Sequence, residues 1–182
     1  KPLPEIESEI EFLLKCLPAD EFRFNLDSKP DLMLTKEEEE FALNWLKKNC
    51  GEAFAENRLL AVAPGSKWES KIWAEERFSE VVSLLIERKN VFPVIFGGNE
   101  DREKGSRLLQ TWGKGANAAG ELNIRQAAAA PEKCRIYLGN DTGTMHLAAS
   151  VGTPCVAVFA AIDFAGRWSP FGKNNFVFRD KI

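Results

Sequence analysis

Four short apolar runs, separated by helical segments, constrain the fold of this chain more than any other feature. The runs are LLAVA (59–63), FPVIF (92–96), RIYLG (135–139) and CVAVF (155–159). Between the first two runs, apolar residues recur with the helical period of about 3.6 residues, at Phe78, Val81, Val82 and Leu85. Strands that alternate with helices predict right-handed crossovers. The chain is therefore expected to form a Rossmann-like α/β domain, a mostly parallel sheet with helices on both faces.

Length, charge and composition exclude several classes of protein. The chain has 182 residues, which predicts one domain with a short appendage, and 45% apolar with 28% charged residues is ordinary globular composition. A net charge of -3 gives no broad basic surface, so no nucleic-acid partner is expected. No apolar run of about 18 residues is present, and the amino terminus does not resemble a signal peptide. We therefore expect a cytoplasmic chain.

The part of the chain before the regular alternation is uneven. We expect residues 1–34 to form a linker or the end of a preceding domain, and residues 35–182 to form the Rossmann-like domain. Thr35 and Glu38 have the spacing of a capping box, which predicts a helix over about 36–50. Pro93 cannot donate a ladder hydrogen bond, so it weakens the start of the second strand.

The segment after the first strand has the composition of an anion site. Open parallel sheets bind ligands beyond the carboxyl ends of their strands, and PGSKWESKIW (64–73) follows such an end. Its glycine permits a close turn, and its backbone N–H groups, Ser66 and either Lys67 or Lys71 suit a phosphate. The alternative is that both lysines are ordinary surface residues.

The segment after the third strand, NDTGTMHLAASVGTP (140–154), carries the most specific signal. Asp141 leaves the strand end, and Thr142, Gly143 and Thr144 present consecutive N–H groups where a helix begins. His146 lies in the first turn of that helix. The carboxylate can accept hydrogen bonds from sugar hydroxyls, while the N–H groups and the imidazole face a diphosphate. The alternative for His146 is a capping or packing role.

Several other chemistries are disfavoured. The triplet at 141–143 also occurs in aspartic proteases, but there it belongs to an all-β frame, whereas here a helical segment follows it. Neither a Walker loop nor the dinucleotide GxGxxG spacing is present. The four cysteines lie far apart and His146 is the single histidine, so no zinc or other metal site is expected, and the thiols are predicted to be reduced packing residues.

Five segments in order resemble glycosyltransferase family 9, the ADP-heptose:lipopolysaccharide heptosyltransferases. They are PGS, KIW, FGGNED, GNDTGTMHLAASVGTPCVAVFA and RWSPFG, and the resemblance covers about residues 59–172. It implies the carboxyl-terminal, donor-binding half of a GT-B glycosyltransferase, incomplete at its carboxyl terminus. It also implies transfer from a nucleotide-diphospho sugar with inversion, with no required metal and no other cofactor.

The resemblance assigns roles to individual residues. Ser66 and Lys71 match positions that contact the donor diphosphate, and Glu100 matches an acidic position near the nucleoside. Asp141 matches the carboxylate that holds sugar hydroxyls. The diphosphate-binding turn is matched by Thr142, Gly143 and His146, with Thr144 beside them. The chain departs from the family pattern at Ala160 and Ile162, in the pocket wall expected from residues 160–164.

The resemblance places the rest of the machinery outside this sequence. The general base and most of the site for the lipopolysaccharide core acceptor are expected in an amino-terminal domain, so no catalytic residue is identified here and residues 1–182 alone are expected to be inactive. Peripheral association of the full enzyme with the inner face of the cytoplasmic membrane is left open. The alternatives are a nucleotide-sugar binding module that is not catalytic by itself and another GT-B enzyme such as a nucleotide-sugar epimerase.

Overall fold

The computed structural model describes residues 8–16 (except for the Leu14 side chain), 30, 32–161 and 166–179. The strands are β1 Leu59–Ala63, β2 Phe92–Ile95, β3 Ala116–Asn117, β4 Ile136–Asn140, β5 Cys155–Phe159 and β6 Phe176–Arg179. The helices are α1 Glu9–Lys15, α2 Lys36–Ala55, α3 Glu75–Lys89, α4 Arg102–Trp112, α5 Ile124–Ala129 and α6 Gly143–Ser150. Three 3-10 turns lie at Glu69–Lys71, Asn99–Asp101 and Ala130–Lys133.

The strands form one parallel sheet in the order β3-β2-β1-β4-β5-β6. In the register of β1, Leu60 is opposite Pro93 on β2 and Ile136 on β4. The chain order reverses direction across the sheet between β1 and β4, which is where α/β folds of this type open a ligand crevice. The predicted Rossmann-like class is confirmed.

Alternate residues of β1 belong to two separate cores, one on each face of the sheet. Leu59, Ala61 and Ala63 pack with residues of α2, α5 and α6, whereas Leu60 and Val62 pack with residues of α3 and α4. All five side chains are at most 2% exposed. A strand buried on both faces loses the polar alternation of a half-exposed strand, which explains the continuous run LLAVA. The helices cover both faces, as the sequence predicts.

The long helix α2 begins where its capping box predicts. The Thr35 N–H donates to Glu38 Oε2 at 2.8 Å, and the Glu38 N–H donates to Thr35 Oγ1 at 3.3 Å. The helix does not end near residue 50, because it continues through a kink at Gly51 to Ala55. Gly51 has φ 48°, a left-handed conformation that glycine adopts without the steric cost of a Cβ.

Proline is tolerated in β2 because of where its nitrogen points. The Phe92 N–H donates to the Arg58 carbonyl at 2.8 Å, on the side of β1, so the nitrogen of Pro93 faces the other neighbour, β3. That strand pairs with β2 only from Val94 onwards. The missing N–H of Pro93 therefore lies before the ladder begins.

The structure differs from the sequence predictions at the two edges of the sheet and at one cysteine. The two outer strands, β3 and β6, were not expected from the sequence. Three cysteines are buried as expected, and burial raises the pKa of the Cys50 and Cys155 thiols to about 12, but Cys16 is exposed.

The predictions for the termini and for the pocket wall fall mainly outside the described residues. Within residues 1–34, helix α1 is attached to the loop before β6, since the Glu9 N–H donates to the Arg167 carbonyl at 2.9 Å. Of the predicted wall, residues 160–164, Ile162 and the two residues after it are not described. Among the helices that are described, none combines the length and apolar character needed to cross a bilayer.

Candidate functional site

The segments that follow β1 and β4 meet at the carboxyl edge of the sheet and bring two opposite charges together. Lys71, at the end of the 3-10 turn after β1, lies with its Nζ 2.7 Å from Oδ2 of Asp141, which follows β4 directly. The lysine and aspartate side chains are only 17% and 6% exposed. Sequence reasoning selects both residues as ligand-binding but does not predict that they pair with each other. Each charge is therefore neutralised within the site itself.

The side chain of Asn140 holds these two segments in contact. It is fully buried, and its Nδ2 donates to the carbonyls of Pro64 at 3.1 Å and Gly65 at 3.2 Å. Its Oδ1 accepts the N–H of Trp73 at 3.0 Å. One carboxamide thus satisfies three backbone groups of the segment that contains Lys71. Sequence reasoning missed Asn140, although an amide at the end of a buried strand is a signal that it has backbone partners.

The amino terminus of α6 adds unpaired donors beside Asp141. Thr142 is the extended residue before the helix, and the first N–H with a partner is that of Met145, which donates to the Thr142 carbonyl at 3.1 Å. Within the described part of the chain, no acceptor takes the N–H of Gly143 or Thr144. Such a helix end carries a partial positive charge and attracts anions. The predicted turn is therefore present, with two free N–H groups.

His146 lies in the first turn of α6, within the electrostatic reach of both charges. Its pKa is lowered, chiefly because the imidazole is partly buried, and Lys71 lowers it further while Asp141 opposes the shift. The ring is therefore neutral near neutral pH, with one nitrogen that donates and one that accepts. An anion placed against it would favour the imidazolium form.

Ser66 and Lys67 occupy different surroundings after β1. The half-buried Ser66 accepts the N–H of Trp68 on its Oγ at 3.2 Å, which leaves its hydroxyl proton for another acceptor. Lys67 is exposed, as is Trp68. Of the two lysines that the sequence offers, Lys71 is the one that joins the site.

Two adjacent acids, Glu100 and Asp101, follow β2, and Asp101 is the one that lies against the strand ends. Glu100 is exposed and folds over Gly98. Asp101 accepts the Gly98 N–H at 3.1 Å and fills the space where Gly65 and Gly97 have no side chain. Burial raises the pKa of the Asp101 carboxyl, and the charge of Glu100 raises it further. The sequence signal was the pair of glycines, each of which leaves room for a neighbouring side chain.

Comparison with protein families gives a match over nearly the whole chain. The model of glycosyltransferase family 9 (heptosyltransferase) matches residues 16–182. Among curated proteins, lipopolysaccharide heptosyltransferase 2 of Escherichia coli (strain K12) is 28% identical over 138 residues, which are 71% of this chain and 37% of that protein. The enzyme of the same name from Salmonella typhimurium is 31% identical over 113 residues, 58% of this chain and 32% of that protein. The chain thus spans about a third of the length of these relatives.

Solved structures give the same result for the fold. A family 9 glycosyl transferase from Veillonella parvula superposes with a TM-score of 0.72 at 25% identity, over 81% of this chain and 41% of that structure. The ADP-heptose lipopolysaccharide heptosyltransferase II of E. coli superposes with a TM-score of 0.68, also at 25% identity, over 88% of this chain and 48% of that structure. The described chain therefore corresponds to less than half of each of these proteins.

The Asn140 side chain provides the first testable prediction. Asn140→Ala should lower the free energy of unfolding by about 2–4 kcal/mol, because buried backbone groups of Pro64, Gly65 and Trp73 lose their partner. Urea unfolding followed by fluorescence measures the effect. The control is Asn49→Ala, which removes an exposed amide bonded to the Trp45 carbonyl and should change stability by less than about 0.5 kcal/mol. Equal effects would show that Asn140 does not hold the segments together.

Proposed function

The chain belongs to glycosyltransferase family 9, and on this premise we propose that residues 35–182 form the donor-binding half of a heptosyltransferase. The donor is ADP-heptose or a related nucleotide-diphospho sugar. The observation that carries the proposal is the pairing of Lys71 with Asp141 beside the free N–H groups of α6. The name of the E. coli structure, an ADP-heptose lipopolysaccharide heptosyltransferase, supports the choice of nucleotide and sugar.

The site offers separate partners for the two halves of such a donor. The diphosphate takes the N–H groups of Gly143 and Thr144 and the ammonium of Lys71, since all three favour negative charge. Ser66 and Thr142 supply hydroxyl donors, and His146 supplies an imidazole that becomes more basic beside phosphate. Asp141, which would repel phosphate, accepts the sugar hydroxyls. Donor binding therefore exchanges an internal ion pair for two intermolecular interactions.

The same residues act when the sugar is transferred. The acceptor hydroxyl oxygen attacks the anomeric carbon from the face opposite the diphosphate, its proton passes to a general base, and the bond to the diphosphate oxygen breaks. Negative charge then accumulates on the departing ADP. Lys71 and the N–H groups of α6 are fixed where that charge develops, and stabilisation by such preorganised groups lowers the barrier. Positive charge develops on the sugar ring, where Asp141 favours it.

The remaining parts of the reaction are assigned to the rest of the protein. We propose that the general base and the lipopolysaccharide core acceptor site lie in a preceding domain, that residues 1–34 connect to it, and that the whole enzyme works at the cytoplasmic face of the inner membrane. Residues 1–182 alone then bind donor without transferring it. The second candidate, a binding module that is never catalytic, differs in one respect: the full-length protein would also fail to transfer heptose from ADP-heptose.

The decisive test of the proposal is calorimetric titration with ADP, UDP and GDP, each with and without a chelator. ADP should bind most tightly, and its affinity should be the same after chelation, because lysine and backbone groups neutralise the diphosphate. Within the described ranges, no group of three or more His, Cys, Asp or Glu residues is placed to hold a metal ion. A collapse of ADP affinity on chelation would contradict metal-free binding, and the absence of ADP binding would contradict the donor site.

The two lysines after β1 form a matched pair of variants. Lys71→Ala should weaken ADP binding by about 10- to 150-fold, or about 1.5–3 kcal/mol, since it removes a charged hydrogen-bond donor and leaves Asp141 unpaired next to the phosphates. Lys67→Ala removes the same charge from an exposed position and should change affinity by less than about twofold. Calorimetry on both variants, with thermal unfolding as a check on folding, measures the difference. Equal losses would mean that Lys71 has no special role.

Substitution of Asp141 should separate the sugar from the nucleotide. Asp141→Asn should leave ADP affinity unchanged or slightly higher, because Lys71 is released from its partner and a negative charge beside the phosphates is removed. Affinity for ADP-heptose should fall by about fivefold or more, since hydrogen bonds to a charged acceptor are stronger than those to an amide. Titration of both ligands into the same variant gives the comparison. A large loss of ADP affinity in a folded protein would show that Asp141 instead orders the phosphate-binding turn.

A further inference from the structure

A chain of three hydroxyl groups runs from the interior of the sheet to the amino terminus of α6. Tyr137 Oη lies 2.9 Å from Thr144 Oγ1, and Thr144 Oγ1 lies 2.9 Å from Thr142 Oγ1. Thr142 Oγ1 is also 3.5 Å from the carbonyl of Asn140, which is at the limit of a hydrogen bond. The proposed donor site uses the outer two members of this chain and leaves Tyr137 without a role.

The position of the tyrosine ring is fixed by its surroundings. Tyr137 belongs to β4 and is 0% exposed. Two residues further on, on the same face of the strand, Gly139 leaves room for the phenol, because a Cβ at that position would lie 2.4 Å from Tyr137 Oη. The ring therefore passes over Gly139 and carries its hydroxyl to the first turn of α6.

The direction of donation along the chain follows from burial. Burial raises the pKa of Tyr137, so the phenol keeps its proton throughout the ordinary pH range. A buried hydroxyl proton without an acceptor is costly, and Thr144 Oγ1 at 2.9 Å is the main acceptor, with the Thr142 hydroxyl as a weaker one. Thr144 then donates to Thr142. The hydroxyl proton of Thr142 is left with only the long contact to the Asn140 carbonyl. It is therefore the most weakly bonded of the three hydroxyl protons.

We propose that Tyr137 is a positioning residue for the diphosphate-binding turn, which acts through Thr144 to orient the Thr142 hydroxyl toward a bound phosphate oxygen. The inference rests on the proposed function and adds a residue from the interior to it. The hydroxyls of Thr144 and Thr142 each accept one hydrogen bond while they donate the next, and hydrogen bonds linked in this way strengthen one another. A phosphate oxygen replaces the Asn140 carbonyl as the last acceptor.

The test is a double-mutant cycle on ADP affinity with Tyr137→Phe, Thr144→Val and the double variant. Each single substitution should weaken ADP binding about fivefold, the scale of one neutral hydrogen bond. The double variant should be no weaker than the weaker single variant, because both remove the same link. Thr144→Ser, which keeps the hydroxyl, should recover most of the ADP affinity that Thr144→Val loses. Additive losses, or unchanged affinity in Tyr137→Phe, would overturn the proposal.

A second readout separates positioning from a general loss of stability. Inorganic pyrophosphate should show the same loss as ADP in Tyr137→Phe, whereas adenosine, which has no diphosphate, should bind unchanged. A loss for adenosine as large as that for ADP would overturn the positioning role. If Tyr137→Phe does not fold, the comparison of Thr144→Val with Thr144→Ser still tests the link that the proposal needs, since Thr144 is only partly buried, and equal ADP affinity in these two variants would overturn the proposal. Absence of ADP binding in the unmodified protein would instead overturn the proposed function, and the positioning role with it.

Discussion

The buried carboxamide of Asn140 is the interaction on which the arrangement of the site depends. It joins two carbonyls and one N–H of the segment after β1 to the end of β4, and backbone groups in the interior of a protein need such partners. An amide can donate and accept at once, which neither aspartate nor leucine of similar size can do. Lys71 and Asp141 can therefore face each other at a fixed distance.

The electrostatic balance of the site follows from this framework. A buried lysine or aspartate alone would be unfavourable, but as a pair they compensate each other, and the positive end of α6 lies next to the carboxylate. His146 is held neutral by the same partial burial. The Lys71–Asp141 pair is thus largely shielded from bulk water, and its two charges cancel.

Contacts between residues close in the sequence were predictable, whereas contacts between residues far apart in the sequence were not. The capping box at Thr35 is a contact between residues three apart, and the strand run of β5 is continuous, so both were correctly predicted. Strand β3 has only two residues, and β6 is an edge strand with exposed phenylalanines, so neither has the buried apolar run that marks an inner strand. The pairing of Lys71 with Asp141 spans 70 positions, and no local pattern contains it.

The same limit applies within the site. The strand-end segments were selected by a topological rule for ligand positions in parallel sheets, which needs no side-chain geometry, and the segments after β1 and β4 do meet in the structure. The position of Asp101, the acid next to Glu100, was not predictable, since it depends on the space left by Gly65 and Gly97, which follow β1 and β2. The proposed positioning role of Tyr137 could not be predicted from the sequence either, because its hydrogen-bond partner, Thr144, belongs to the following helix.

The parallel pairing of β1 with β4 links the occupancy of the site to the folding of the whole chain. The loop that closes when Asn140 meets Pro64 spans 76 positions and encloses β2, α3, α4, β3 and α5. No partly folded form that lacks this closure contains both halves of the site. A ligand held there binds only the completed sheet, so it shifts the folding equilibrium by mass action, by about 2.7 kcal/mol at a hundredfold excess over its dissociation constant. In a cell, the supply of any ligand of this site would then also affect how long the chain survives unfolding and proteolysis.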